Sequence, residues 1–162
     1  MSGAPDHSQT EGDTTVAERI YWTLNAEAIG GPKISASRTE DVAAYDKISI
    51  GVPASTTNEG EEEATPGTAS VEVQPGGAGQ VKFLLIQSSV YNANLTYLVN
   101  DAEGDGTALD ALQILIGAGA VSLLGAAPQT LHFSNGTDQT ATIQILVGRD
   151  VSPPPAGEPD ED

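Results

Sequence analysis

Cysteine is absent from this chain, and Lys and Arg together supply only six of its 162 residues. The lack of cysteine excludes disulfides, thiolate zinc sites and thiol nucleophiles. The scarcity of cations leaves no basic surface for phosphate contacts, so we expect no nucleic-acid partner. The longest largely apolar run, residues 112–119, is far shorter than a membrane span, and the polar, acidic first residues do not match a signal peptide. We therefore expect no membrane partner and a cytoplasmic or particle-associated protein.

Acidic side chains dominate the charge, and they are unevenly placed. The formal net charge is −17. Seventeen of the 23 acids lie in four stretches that contain no Lys or Arg, namely residues 6–18, 59–63, 101–110 and 150–162. The remaining acids equal the cations in number, so the rest of the chain is close to neutral. A neutral body is prone to associate, whereas acidic loops and ends keep a protein soluble.

Helical periodicity is almost missing as well. Between residues 18 and 150 the chain consists of short segments in which apolar and polar residues alternate, separated by Gly, Pro, Asn and Asp. A period of two is typical of half-buried strands. We count about nine short strands, which predicts an all-β fold, an antiparallel β-sandwich with either a Greek-key or a jelly-roll strand order.

The two ends differ in composition from the body. The tail VSPPPAGEPDED combines consecutive prolines with acids and has almost nothing to bury. The first residues are polar and acidic. These features predict a disordered acidic N-terminal arm over residues 1–17, a β-sandwich domain over residues 18–150, and a disordered Pro-rich acidic C-terminal tail over residues 151–162.

Alternation assigns faces to two early segments, residues 19–26 and residues 33–37. In each segment the apolar residues fall on one side of the strand, and the polar residues fall on the other. The residues that we expect on the inner, apolar side are Ile20, Trp22, Leu24, Ala26, Ile34 and Ala36.

Three later segments carry distinct signals. Val81–Ser88 contains four apolar residues in succession, which predicts a central strand covered on both faces. Asn135-Gly136 is a strong signal for a tight hairpin. Residues 117–128 are rich in Gly and Ala, which favours a sharply bent strand or a flat contact surface where backbones approach closely.

An acidic loop is the best candidate for a site. Asp101, Glu103 and Asp105 place carboxylates at alternate positions before Gly106, which resembles the first half of a calcium loop. Asp110 supplies a fourth acid, but Leu112 occupies the position of the expected bidentate Glu. The candidate metal ligands are therefore Asp101, Glu103, Asp105 and Asp110, with Ca²⁺ as the only candidate cofactor. The alternative is a solvated turn.

Catalytic equipment is sparse. The stretch GAGAV at residues 117–121 resembles a dinucleotide-binding turn, but Ser122 stands where the third glycine is required. His7 lies in the N-terminal arm, and His132 has no second imidazole at metal-ligand spacing. No nucleophile motif accompanies either histidine. We therefore expect a protein that is not an enzyme.

These observations favour a structural role. The chain resembles, in general pattern, small β-sandwich structural proteins of phage-like or other self-assembling particles, which combine extended arms and long loops with bodies that lack catalytic groups. The resemblance implies a subunit that forms a homo-oligomer or coats a larger particle such as a virion, with itself and other assembly subunits as partners. The alternative is a calcium-dependent module that binds carbohydrate or a surface.

Overall fold

The computed structural model describes most of the predicted β-sandwich domain. The described residues form ten β-strands, one short helix and one 3-10 turn. The described residues are 18–57, 59–60, 62–74 and 80–150. The predicted disordered arm (1–17) and tail (151–162) lie outside them. The strands are β1 (Glu18–Glu27), β2 (Lys33–Val42), β3 (Ala44–Val52), β4 (Gly67–Glu72), β5 (Val81–Ser88), β6 (Asn92–Val99), β7 (Thr107–Leu109), β8 (Gln113–Ile116), β9 (Thr130–Asn135) and β10 (Ala141–Arg149); helix α1 is Ala118–Val121, and the 3-10 turn is Ser122–Leu124.

Strands β3 to β10 form two four-stranded antiparallel sheets, in the orders β3-β10-β5-β8 and β4-β9-β6-β7. The pairs β3–β10, β4–β9, β5–β8 and β6–β7 are those of one long hairpin folded back on itself. Rolling this ribbon places β10 beside β5 and β9 beside β6, which is the jelly-roll arrangement. The predicted all-β sandwich is confirmed, and of the two strand orders that the sequence left open the chain adopts the jelly roll.

The main core lies between the two sheets, because every second side chain of a strand points inward. Strand β10 shows this period clearly: Ile143, Ile145 and Val147 are buried, whereas Thr142 and Gln144 are exposed. The facing sheet contributes the buried side chains of Leu95, Tyr97, Leu131 and Phe133.

Strand β5 confirms the prediction of a central strand with two covered faces. It lies between β10 and β8 in its sheet. Leu84 and Ile86 point into the main core, while Phe83, on the opposite face, is buried in a second apolar cluster outside the sandwich. The unbroken apolar run therefore reflects a strand that is covered from both sides.

Asn135-Gly136 does not form the predicted tight hairpin, because β9 and β10 belong to different sheets. Asn135 is fully buried, and its side-chain nitrogen donates hydrogen bonds to the carbonyl oxygens of Pro53 at 3.0 Å and Gln139 at 2.8 Å. Its side-chain oxygen accepts hydrogen bonds from the backbone nitrogen and the hydroxyl of Thr137. The asparagine thus organises a crossing between the sheets.

Residues 117–128 do not form a bent strand, which was one of the two predicted alternatives. Gly117 has a φ of 88°, a left-handed value that ends β8 and turns the chain away from the sheet. Helix α1 and the 3-10 turn follow. Alanine favours a helical turn where no neighbouring strand offers hydrogen bonds, so the local preference decides this segment.

Strands β1 and β2 form a separate two-stranded hairpin. From here on we call this hairpin the arm; it is distinct from the predicted N-terminal arm of residues 1–17. Its ladder runs without interruption from Glu18 opposite Val42 to Glu27 opposite Lys33. Ten residues per strand give the arm a length of about 33 Å. Only Ala43 separates β2 from β3, so the arm continues directly from an edge strand of the sandwich.

The arm corrects the predicted faces of the first two segments. Ile20 is buried and Trp22 is half-buried, in agreement with the prediction. Four residues expected on the inner side are exposed, namely Leu24, Ala26, Ile34 and Ala36. The alternation correctly identifies one apolar side, but the arm extends beyond the sandwich, and the described residues supply nothing to cover its outer half.

Candidate functional site

Residues that pair across the ladder of the arm share a side, which gives the arm one polar face and one mainly apolar face. The charged residues Glu18, Arg38 and Glu40 also lie on the second face, which we call the apolar face. On the polar face, the Ser35 hydroxyl donates a hydrogen bond to the side-chain oxygen of Asn25 at 2.8 Å. The Thr23 hydroxyl donates to the Tyr21 oxygen at 3.1 Å. Hydrogen bonds from Thr23 and Ser37 lower the pKa of the Tyr21 phenol, because they favour its charged form. This face is a hydrogen-bonded, solvated surface.

The outer half of the apolar face is exposed to solvent. Leu24 is 49% exposed, and Ile34 is 70% exposed. Ala26 pairs with Ile34, and Ala36 pairs with Leu24, so the four side chains form one continuous patch. We call Leu24, Ala26, Ile34 and Ala36 the distal arm face.

The inner half of the same face packs against the outside of the β3-β10-β5-β8 sheet. Ile20 and Val42 form an apolar cluster with Phe83, and Trp22 packs against it. The indole nitrogen of Trp22 is buried and has no acceptor among the described residues. Gly148 makes this contact close, since a Cβ at this position would lie 2.6 Å from Ile20 Cδ1.

Part of this sheet surface remains uncovered. Leu85, Ile114 and Leu146 lie in one row across β5, β8 and β10, and each is only partly buried against the cluster that holds the arm. We call these three residues the open sheet face. A shallow depression of about 300 Å³ adjoins it, lined by Lys47, Leu85, Gln87, Gln144, Ile145 and Leu146.

A second depression, of about 200 Å³, lies beside helix α1. Its lining comprises Val81, Ala118, Val121, Ser122, Gly125, Ala126, Ala127 and Pro128. None of the described side chains that line it is ionisable, so they supply no general acid or base.

The predicted calcium ligands lie on two exposed connections, one before and one after β7. Asp101, Glu103 and Asp105 belong to the loop between β6 and β7, and Asp110 follows β7. All four residues are exposed. Within residues 18–57, 59–60, 62–74 and 80–150, no three acidic or histidine side chains come together as a metal-binding group. The calcium site stays a prediction.

His132 has a partner that sequence reasoning missed. Its Nδ1 lies 2.8 Å from the hydroxyl of Ser70, and the two residues pair directly across β9 and β4. Only the strand register brings them together, so no local motif could have revealed the pair. Ser70 is exposed on the outer face of its sheet, and neither depression described above includes the pair. The contact is a cross-strand hydrogen bond on a sheet surface.

No protein-family model matches the chain, and no curated protein or solved structure matches it. Among the helices of the described residues, none has the length and apolar character needed to cross a membrane. The class of the protein is therefore defined by its own fold: an all-β sandwich of two packed antiparallel sheets that carries an amphipathic arm.

Proposed function

We propose that the protein is a non-enzymatic structural subunit that self-associates into a homo-oligomer or coats a larger particle, such as a virion. The observation that carries the proposal is the distal arm face, an apolar patch on a hairpin that projects from the body. Leu24 and Ile34 are exposed there, and the fully exposed Ile29 lies in the adjoining turn.

Burial energetics support a partner for this surface. Removing a Leu or Ile side chain from water stabilises a protein by roughly 1.5–3 kcal/mol. Among the described residues, however, these side chains remain exposed to water. The arm itself is a two-stranded ribbon, which is only marginally stable without further packing. Contact with another subunit would bury them and stabilise the ribbon.

The fold alone does not decide between functions, because jelly rolls serve capsid proteins, lectins and cupins. The arm favours assembly over the other uses of the fold.

The charge distribution supports a regulated association. With a net charge of −17, subunits repel one another at low ionic strength. Salt screens this repulsion and strengthens apolar contacts, particularly if the salt is a sulfate. Self-association of the proposed kind should therefore increase with salt concentration.

Sedimentation velocity over a range of protein and salt concentrations tests the proposal, with negative-stain electron microscopy of the same samples. We expect a concentration-dependent shift from monomer to a defined larger species, and a stronger shift at high salt. A single monomeric species at every protein and salt concentration would overturn the proposal.

A further inference from the structure

We propose that the distal arm face of one subunit docks on the open sheet face of a second copy, beside that copy's own arm base. This inference rests on the proposed function and specifies the contact through which the copies associate. The occupant of the open sheet face is thus a second copy of this chain.

The contact inside one subunit provides a precedent for the proposed one. Ile20 lies on the apolar face of the arm and packs in one cluster with Phe83 of the outer sheet surface, and Trp22 packs against this cluster. Leu24 continues the same face of the arm, and Leu85 continues the same face of the sheet. The proposed contact therefore repeats, between copies, a packing that each copy already makes internally.

The described residues of the same subunit leave both surfaces at least partly exposed. Leu24 and Ile34 are exposed although they are only a few residues from the packed arm base. Leu85 and Leu146 touch the arm-base cluster on one side and remain partly exposed on the other. Each subunit thus has one exposed apolar surface on its arm and one partly exposed apolar surface on its sheet. A second copy can cover the first with its sheet and the second with its arm.

The rest of the chain is a poor occupant. Residues 1–17 contain only Met1 and Val16 as large aliphatic side chains, and residues 151–162 contain only Val151. Both segments are otherwise polar, small, proline-rich or acidic. On the distal arm face, Leu24 and Ile34 lie together on one side of a paired ribbon, whereas Met1 and Val16 are 15 residues apart in the sequence.

The size of the contact predicts how it forms. Five residues on each of two strands cover about 16 Å by 10 Å, or about 160 Å² in projection. This is well below the ~800 Å² per partner of a stable interface. Giving and receiving one arm each brings this only to about 320 Å² per partner, still below that size, so we expect a single pair to be weak and docking to be seen where many copies each give and receive an arm.

Disulfide trapping tests the contact directly, because the chain has no native cysteine. Leu24→Cys and Leu146→Cys are made as separate variants, each fused to a tag of a different size. The two variants are then mixed and mildly oxidised. We expect a mixed 24-to-146 dimer to dominate. The matched control is Thr23→Cys mixed with Leu146→Cys, since Thr23 is the neighbouring exposed residue on the polar face. A dominant 24-to-24 dimer, or equal trapping by the control, would overturn the inference.

Charge variants provide a second measurement that does not depend on trapping. Leu24→Glu combined with Ile34→Glu should raise the protein concentration needed for assembly at least tenfold. Thr23→Glu combined with Ser35→Glu adds the same charge on the polar face and should raise it much less. If the native protein assembles and the apolar-face variant assembles equally well, this inference fails while the proposed function stands. If the native protein never assembles, both fail.

Discussion

Gly148 lies directly beneath Ile20, and the absence of a side chain at residue 148 is what lets the arm rest on the sheet. A Cβ there would lie 2.6 Å from Ile20 Cδ1, 2.9 Å from Val42 Cγ1 and 3.2 Å from the Cβ of Phe83. All three neighbours belong to the cluster that joins the arm to the sandwich. A single small residue on β10 thus controls how closely an element more than 100 residues earlier in the chain can approach.

Gly148→Ala should loosen the arm base. The added methyl overpacks the cluster, so we expect a loss of about 1–3 kcal/mol in the free energy of unfolding. Trp22 is the only tryptophan and packs against this cluster, so its emission should shift to the red as the arm lifts. The control is Gly51→Ala on β3, where a Cβ would meet nothing within 4 Å. Equal stability and emission in the two variants would contradict the assigned role of Gly148.

Asn135→Ala should destabilise the sandwich. It removes the side-chain donor to the carbonyl oxygen of Pro53 and one of two side-chain donors to that of Gln139, at a cost of about 1–3 kcal/mol. Asn92→Ala is the control, because Asn92 is exposed and its side chain accepts one hydrogen bond, from the backbone nitrogen of Asn94. Urea unfolding compares the two variants. A similar loss in both would mean that the crossing does not depend on Asn135.

Tyr97 should make the fold sensitive to alkaline pH. Burial raises the pKa of its phenol above 10.0, since it disfavours the charged form. Above that ordinary value the unfolded chain releases the proton first, so the folded state binds more protons and stability falls as pH rises. Below about pH 9 both states keep the proton, and the residue contributes no pH dependence.

The substitution Tyr97→Phe checks this sign. It removes the hydrogen bond that the Tyr97 hydroxyl donates to Gln113 Oε1 at 2.6 Å, so the variant should be about 1 kcal/mol less stable near neutral pH. Its stability should then decline less between about pH 9 and pH 11 than that of the native protein. Urea midpoints measured across this range decide the matter, and parallel pH curves for the two proteins would show that Tyr97 is not the group responsible.

The calcium hypothesis makes its own prediction. If Asp101, Glu103, Asp105 and Asp110 bind Ca²⁺, then Ca²⁺ at about 100 times its Kd stabilises the folded protein by about 2.7 kcal/mol and raises Tm. Asp101→Asn combined with Asp105→Asn should abolish the rise. Glu62→Gln combined with Glu63→Gln removes as many charges from another acidic loop and should leave the rise in Tm unchanged. An unchanged Tm with millimolar Ca²⁺ would identify the loop as a solvated turn.

Local patterns predicted the strands well where packing and pattern agree. The apolar run of β5 predicted an interior strand, and alternation in β1 separated the two faces of the arm correctly. The sequence could not show what covers each face, because Leu24 and Ile20 carry the same local signal and differ only in whether a sheet lies below them. Burial depends on contacts between distant segments, and the period of a strand contains no information on them.

The predictions that were wrong or incomplete have related causes. Asn135-Gly136 carries a local hairpin signal, but its buried amide instead contacts Pro53, which is distant in sequence. Helix α1 was missed because four residues are too few to establish a helical period. The open sheet face requires Leu85, Ile114 and Leu146 to be aligned by strand register, which no linear spacing reveals.

The described chain starts and finishes at one corner of the molecule. Glu18 pairs with Val42, and one residue later the backbone nitrogen of Ala43 donates a hydrogen bond to the carbonyl oxygen of Arg149. Anything fused ahead of residue 18 or behind residue 150 is therefore anchored at the same place, at the opposite end of the arm from its tip. A circular permutant that joins these two points by a short linker and opens the chain in the turn after Glu27 would leave the tip of the arm held by the β1–β2 ladder alone, with the jelly roll intact.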